Sequence, residues 1–560
     1  MSHSTEGAAG GGAEHHGRHG AVRHREEGDP GPDRVSDDSA TPEAASAPAV
    51  GEGEYLSPGE RAPAERRGLH RRRWIGFAAG LLVGLVLFLA MPADVPYNAR
   101  VTAAVAGLMA VWWMTEAIPI PATALVPLVA FPVLGQEVDI KDVGAAYGND
   151  IIFLFMGGFV IALAMQRWDL HRRIALVTVR AMGTKPGGVV AGFMIATGFL
   201  SMWVSNTATA VMMIPIGVSV LTLVVAKDNA AITESSDPAS AEVKDAVIES
   251  NFGTALMLGI AYAASVGSLA TLIGTPPNAL LAGYMSQAHG VEIGFGQWML
   301  VGLPVALVML VLVWFLLTRV LFPAEISEIP GGRALITSEL SKLGPMSSGE
   351  VRVLVVFALA AISWITVPLL FDGVISDAGI AVSAALLLFL LPAGARRGVR
   401  LIDWDSAVKL PWGVLLLFGG GLALSAQFSD SGLADWIGTQ VQGLGGVPVW
   451  LLVAILTTAI IFLTELTSNT ATAATFLPVA GGVAVGVGVD PLLLTIPVAL
   501  AATCAFMLPV ATPPNAIAFG SGYVTIGQMI KGGLYLNLAG IVLITLATLS
   551  LGVWAFGLVS

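Results

Sequence analysis

Two scarcities mark this chain: ionisable residues and cysteine. Asp, Glu, Lys and Arg make up 12% of its 560 residues while 55% are hydrophobic. A soluble domain carries about 25% charged residues, so most of this chain has lipid rather than water for solvent. One cysteine, Cys504, excludes a disulfide framework and multi-cysteine metal sites. Histidine is concentrated near the start, where His3, His15, His16, His19, His24 and His70 lie in a segment nearly free of large apolar residues. A disordered cytoplasmic tail over 1–73 fits that composition better than a metal site. No cleavable apolar run precedes Trp74, so no signal peptide is expected. There is no His-Glu-x-x-His, no carboxylate pair beside a nucleophile and no transmembrane Cys/His set, so the chain is not expected to be an enzyme. Nothing points to nucleic acid or to an organic cofactor. The net charge of −11 sits largely in the tail and loops and says little about a bound species.

What is abundant is apolar sequence of membrane-spanning length. At roughly 20 residues per crossing, spans fall near 74–92, 99–113, 117–135 and 151–181. A long stretch 188–226 follows, then 252–290 and 298–322. A polar cytoplasmic linker, 323–352, leads to spans near 353–371, 376–396 and 411–430, a stretch 447–488, then 490–530 and 534–558. Arg71-Arg72-Arg73, Arg172-Arg173, Arg319, Arg333, Arg396-Arg397, Arg400, Lys409 and Lys531 all reach the cytoplasmic side if 188–226 and 447–488 are re-entrant. The expectation is an all-α polytopic membrane protein of about 11 transmembrane helices and two re-entrant hairpins. Its N-terminus would be cytoplasmic and its C-terminus external, in the cell membrane.

The two halves repeat one another. Phe155-Met156-Gly157-Gly158 answers Leu417-Phe418-Gly419-Gly420, and Ser205-Asn206-Thr207-Ala208-Thr209 answers Ser468-Asn469-Thr470-Ala471-Thr472. Gly274-Thr275-Pro276-Pro277-Asn278-Ala279 answers Ala511-Thr512-Pro513-Pro514-Asn515-Ala516, once the charged insertion around 227–251 is allowed for. An odd number of crossings separates the copies, so 74–322 and 353–560 form inverted-topology repeats.

Each Ser-Asn-Thr cluster lies midway along an apolar stretch whose flanks are shorter than a crossing. A hairpin tip at bilayer depth follows, with irregular backbone that must line a cavity or pack on protein. Hydroxyls and amides there can donate to anion oxygens and accept a cation. One such cluster reads equally well as helix-to-helix bonding; two copies, each followed by a Pro-Pro pair, favour a site. The prolines remove two N–H donors and break 252–290 and 490–530 into half-helices, with Thr275 or Asn278, and Thr512 or Asn515, as N-caps. Carbonyl ends suit a cation and helix N-termini an anion. No Lys or Arg occurs in the tips or breaks. Glu465, where the first half has Met202, either attracts a cation, holds a proton or braces the hairpin. Bracing is the favoured role for Glu116. Asp403, Asp405 and Lys409 read as a solvated interface.

These motifs, with Trp112-Trp113-Met114-Thr115-Glu116-Ala117-Ile118-Pro119, resemble those of the divalent anion/sodium symporters, carriers of di- and tricarboxylates or sulfate, from about Trp74 to the C-terminus. The resemblance implies one sodium site per repeat, two or more ions in all. Ser201, Ser205, Asn206 and Gly274 would form the first site, and Thr464, Ser468, Asn469 and Ala511 the second. It also implies a dianion held by Ser205, Asn206, Thr207, Thr275, Ser468, Asn469, Thr470, Thr512 and Pro513. A homodimer is implied, with scaffold parts 74–185 and 353–440 and mobile parts 186–322 and 441–560 moving as an elevator. The expected function is sodium-coupled uptake of a C4-dicarboxylate such as succinate, malate or fumarate. The alternatives are exchange, proton coupling, a sulfate or citrate substrate, or a sensor that does not translocate.

Overall fold

The computed structural model describes residues 67–228, 248, 250–329, 331–371, 374–444 and 446–558. The expected tail lies outside these residues except for 67–73, which are helical: they open the helix Arg67–Ala90. Every regular element among the described residues is a helix, with no strand among them. Eight helices are long and apolar enough to cross a membrane, and six apolar helices are shorter. Their starts follow local chemistry. Ser347 with Glu350 and Thr525 with Gln528 make reciprocal capping boxes, and Asn149, Ser250 and Ser376 accept N–H groups from the first turns of their helices.

Burial sorts the helices into centre and periphery. His70–Ala90 is 17% buried and Ser348–Pro368 28%, whereas Asn251–Ala270 is 100% buried. That central helix packs against both Pro186–Ser201 and Asn206–Asp228, the two arms around the first Ser-Asn-Thr cluster. In the second half Leu492–Thr503, likewise buried along its length, packs against both Val449–Thr464 and Asn469–Val487. Each tip is therefore two helices interrupted at its cluster and wrapped on one core helix.

The span expected over 151–181 is instead two helices, Asp150–Arg167 and Leu170–Ala181. The chain turns at Asp169, whose φ of +52° is left-handed and easier for Asp than for most residues. Leu170–Ala181 buries Leu170, Ala175, Leu176 and Val179 and carries Arg172, Arg173 and Arg180. That is a helix with one apolar face rather than a span. The second half repeats the device: Trp412–Asp430 ends at Gly432, φ +75°, and Leu433–Val441 follows.

Arginines gather one end of the molecule. Arg173 pairs with Glu350 at 2.6 Å and reaches the Leu343 and Gly344 carbonyls, while Arg172 pairs with Glu339 at 2.9 Å. The segment expected as a linker thus carries the helix Gly332–Lys342, pinned by side chains from the first half. Asp403 is not simply solvated: Arg167 meets it at 2.5 Å and Trp168 donates to the Leu401 carbonyl. The Ser406 hydroxyl and Arg167 hold the Asp403 carboxyl down at about 2. A depressed carboxyl contributes stability above its ordinary pKa and loses it as pH falls through the folded value. Asp403→Asn should lower the melting temperature at neutral pH by about 1–2 °C, since both partners are partly exposed. Melts of the purified protein taken down to pH 2 should show the difference from wild type vanish; a difference that persisted there would rule this account out.

Candidate functional site

A cavity of about 900 Å³ is lined by both Ser-Asn-Thr clusters and both Pro-Pro breaks. From the tips it takes Ser205, Asn206, Thr207, Ser468, Asn469 and Thr470, and from the breaks Gly274, Thr275, Ala511 and Pro513. Residues far apart in sequence are thus brought to one space. Ser201 and Thr464 are fully buried and do not line it. Thr512 lies off the wall too, 3% exposed, with its hydroxyl accepting the Asn515 N–H at 3.3 Å.

Behind each tip three oxygens converge. In the first half Ser201 Oγ lies 2.6 Å from Asn206 Oδ1 and 2.5 Å from the Ala264 carbonyl oxygen. Asn206 turns its oxygen to this cluster because its Nδ2 donates to Ser268 Oγ, whose own hydrogen goes to the Ser265 carbonyl. One hydroxyl hydrogen therefore serves two acceptors, and a pair of close oxygens is left without a proton between them. The second half matches: Thr464 Oγ1 lies 2.9 Å from Asn469 Oδ1 and 2.8 Å from the Ala502 carbonyl oxygen. Neutral oxygens with too few hydrogens suit a hard cation. Ser201, Asn206, Thr464 and Asn469 were legible in the sequence. Ala264 and Ala502 were not, because a main-chain carbonyl in an apolar run leaves no trace in residue type.

The breaks are built alike. Asn278 Nδ2 donates to the carbonyls of Ser268, Leu269 and Thr271, and Asn515 Nδ2 to those of Ala505 and Leu508. One amide thus gathers the carbonyls freed where the helix stops. Thr275 Oγ1 meets Thr503 Oγ1 at 3.4 Å, joining the first break to the second half. Prolines fill the first two positions of Pro276–His289 and Pro513–Gly520, and the third N–H is already bonded. These ends have few donors for an anion. The return arms differ: Asn206 and Asn469 begin helices whose first residues line the cavity, and no side chain caps Asn469–Val487. Their N-termini place partial positive charge on the cavity from both halves.

The halves also differ. A Cβ on Gly274 would meet the Ser268 carbonyl oxygen at 2.3 Å, so the first break is closed too tightly for the alanine that Ala511 supplies in the second. Glu465 is 3% exposed and takes the N–H groups of Phe506 (2.7 Å), Met507 (2.9 Å) and Leu508 (3.0 Å) and the Asn537 amide (2.7 Å). Four donors satisfy the carboxylate where, among the described residues, no cation pairs with it, and the chain after Thr503 is braced. In the first half the corresponding link is neutral, Thr271 Oγ1 donating to the Met202 carbonyl. Arg72, Glu116 and Lys409 also line the cavity. Lys409, expected at a solvated interface with Asp403 and Asp405, belongs to this wall instead.

Paired broken helices around one midchain cavity are the build of a secondary transporter. The chain belongs to the sodium:sulfate symporter family, whose transmembrane-region model matches residues 71–558. The resemblance read from Trp74 onward is thereby borne out. The chain is 46% identical over 483 residues to the sodium-dependent dicarboxylate transporter SdcS of Staphylococcus saprophyticus, covering 84% of this chain and 91% of that one. It is 45% identical over 485 residues to SdcS of Staphylococcus aureus strain USA300, with the same coverage. Among solved structures, the Alcanivorax borkumensis YdaH transporter aligns over 82% of this chain and 98% of its own, at 14% identity and a TM-score of 0.46. Neisseria gonorrhoeae MtrF aligns over 84% and 98%, at 11% identity and a TM-score of 0.47.

Two substitutions test the site's construction. Glu465→Gln should cost about 2–4 kcal/mol, because an amide turns a donor towards N–H groups that need an acceptor. A chemical-denaturation series would read this, and an unchanged midpoint would refute the brace. Gly274→Ala should cost about 1–3 kcal/mol of stability, because its Cβ would press on the Ser268 carbonyl; an unchanged midpoint in the same series would show that the tight approach is unimportant.

Proposed function

We propose that this protein couples sodium to the uptake of small dicarboxylate dianions, with C4-dicarboxylates such as succinate as substrate. The observation that carries this reading is the convergence of both tips on one cavity, with a proton-poor oxygen trio behind each. Charge makes the coupling necessary. A dianion in a water-poor site is very costly unless it is offset. Each return-arm N-terminus supplies roughly half a positive charge, so two of them leave about one negative charge over. Two sodium ions, one at Ser201, Ser205, Asn206 and Gly274 and one at Thr464, Ser468, Asn469 and Ala511, more than offset it. The substrate would then be held by Ser205, Asn206, Thr207, Ser468, Asn469 and Thr470, with Thr275 and Pro513 beside it. The names of the staphylococcal relatives support both the ion and the substrate class.

The repeated tips, breaks and one-faced helices support two inverted repeats, 74–322 and 353–560, crossing the bilayer eleven times with the two hairpins re-entrant. In this reading the arginine-rich end is cytoplasmic, the C-terminus is external and the cell membrane is the site of action. The parts 186–322 and 441–560 move as an elevator against the remainder in a homodimer. Proteoliposomes loaded with buffer should take up labelled succinate on a sodium gradient, and the rate should fall at least tenfold in potassium. Asn206→Ala and Asn469→Ala should each abolish uptake in protein that still purifies folded. Undiminished uptake in potassium, or near-normal flux in both variants, would overturn the proposal.

A further inference from the structure

The Trp112–Pro119 motif has no part in the ion and substrate contacts above, yet it is built to present one side chain to the cavity. Trp112 stacks on Phe77 at 5.0 Å and donates to the Phe77 carbonyl, and Trp113 donates to the Ile120 carbonyl at 3.2 Å. Together they clamp the turn that follows the helix Tyr97–Thr115. At that turn Glu116 takes φ +51°, ψ +41°, a left-handed conformation that costs a glutamate energy and needs surrounding structure to hold it. Strain of this kind, fixed by two buried tryptophans, places an exposed carboxylate on the cavity wall.

Two cations share that wall. Arg72 is on the first helix, and Lys409 stands just beyond Asp403, which is tied to Arg167 at the arginine-rich end. Among the described residues neither Arg72, Lys409 nor Glu116 makes an ion pair or a side-chain hydrogen bond. Elsewhere at this end Arg167, Arg172 and Arg173 are all engaged with carboxylates. Three unpaired charges around one cavity, two positive and one negative, differ in kind from the neutral tips, where no Lys or Arg occurs.

We propose that Arg72 and Lys409 form a transit site for the dicarboxylate at the cytoplasmic mouth of the cavity, with Glu116 as the built-in carboxylate that competes for the same two cations. This rests on the transport reading above. A dianion leaving the neutral tips meets two positive charges before bulk solvent, and charged walls on a cleft raise the local concentration of an oppositely charged solute. Glu116 opposes its retention, so the site passes the anion on rather than trapping it. Attraction of this kind acts on an exposed path and is screened by salt.

The test uses the full-length protein in proteoliposomes of defined sidedness, with labelled succinate presented to the cytoplasmic or the external face at fixed sodium. In Arg72→Gln/Lys409→Gln the ratio of cytoplasmic to external KM should rise about three- to tenfold. Its dependence on added choline chloride should be largely lost. Arg72→Lys/Lys409→Arg should behave as wild type, and Glu116→Gln should move the ratio the other way. Misfolding cannot produce opposite shifts in the two neutralised variants. An unchanged ratio and salt dependence in the double variant, or equal changes on both faces, would overturn the transit site. A wild-type protein that carries no succinate would overturn the transport reading instead.

Discussion

A main-chain carbonyl or N–H that loses its helical partner in an apolar interior has to find another, and this structure is organised by where those partners come from. Four helices stop inside buried sequence, at the two Ser-Asn-Thr clusters and the two Pro-Pro pairs. The freed carbonyls are collected by single amides, Asn278 and Asn515, and the freed N–H groups after Thr503 by Glu465. What those devices leave over is the carbonyls of Ala264 and Ala502 beside hydroxyls, and two helix starts on the cavity, of which Asn469–Val487 has no side-chain cap while Ser205 Oγ accepts the Ala208 N–H of the other. Satisfying the backbone incompletely is what leaves oxygen and N–H groups facing or backing the cavity.

The two halves solve this with different strengths. The first break uses Gly274 under the Ser268 carbonyl and a neutral hydroxyl link from Thr271, whereas the second uses Ala511 and a carboxylate with four donors. The Glu465 carboxyl one residue from Thr464 has no counterpart in the first half, where Met202 stands. The repeat therefore supplies two related oxygen trios in unequal surroundings.

Much of this was legible in residue order, because the polar clusters stand out against apolar sequence and proline pairs cannot sit inside a helix. The tips, the breaks and most side chains of the cavity wall and the oxygen trios could be named that way. Other features left weaker marks. The turn at Asp169 interrupts what hydropathy alone reads as one span over 151–181, and only the three arginines on one face of Leu170–Ala181 betray it. Thr512 carries the right hydroxyl for the site, but its capping bond to Asn515 keeps it off the cavity. Lys409 lies in a charged loop and resembles any solvated lysine until the chain folds it onto the cavity wall.

The sequence by itself determined the solvent, the duplication and the places where helices must end, since these follow from side-chain polarity and from proline's missing N–H, which are local properties. Tertiary structure decided which freed groups would be left for a ligand. Whether an oxygen is paired or proton-poor depends on which chain segment lies three ångströms away. Ser201 meets Ala264, and Glu465 meets Phe506, Met507 and Leu508, across separations that no local pattern encodes.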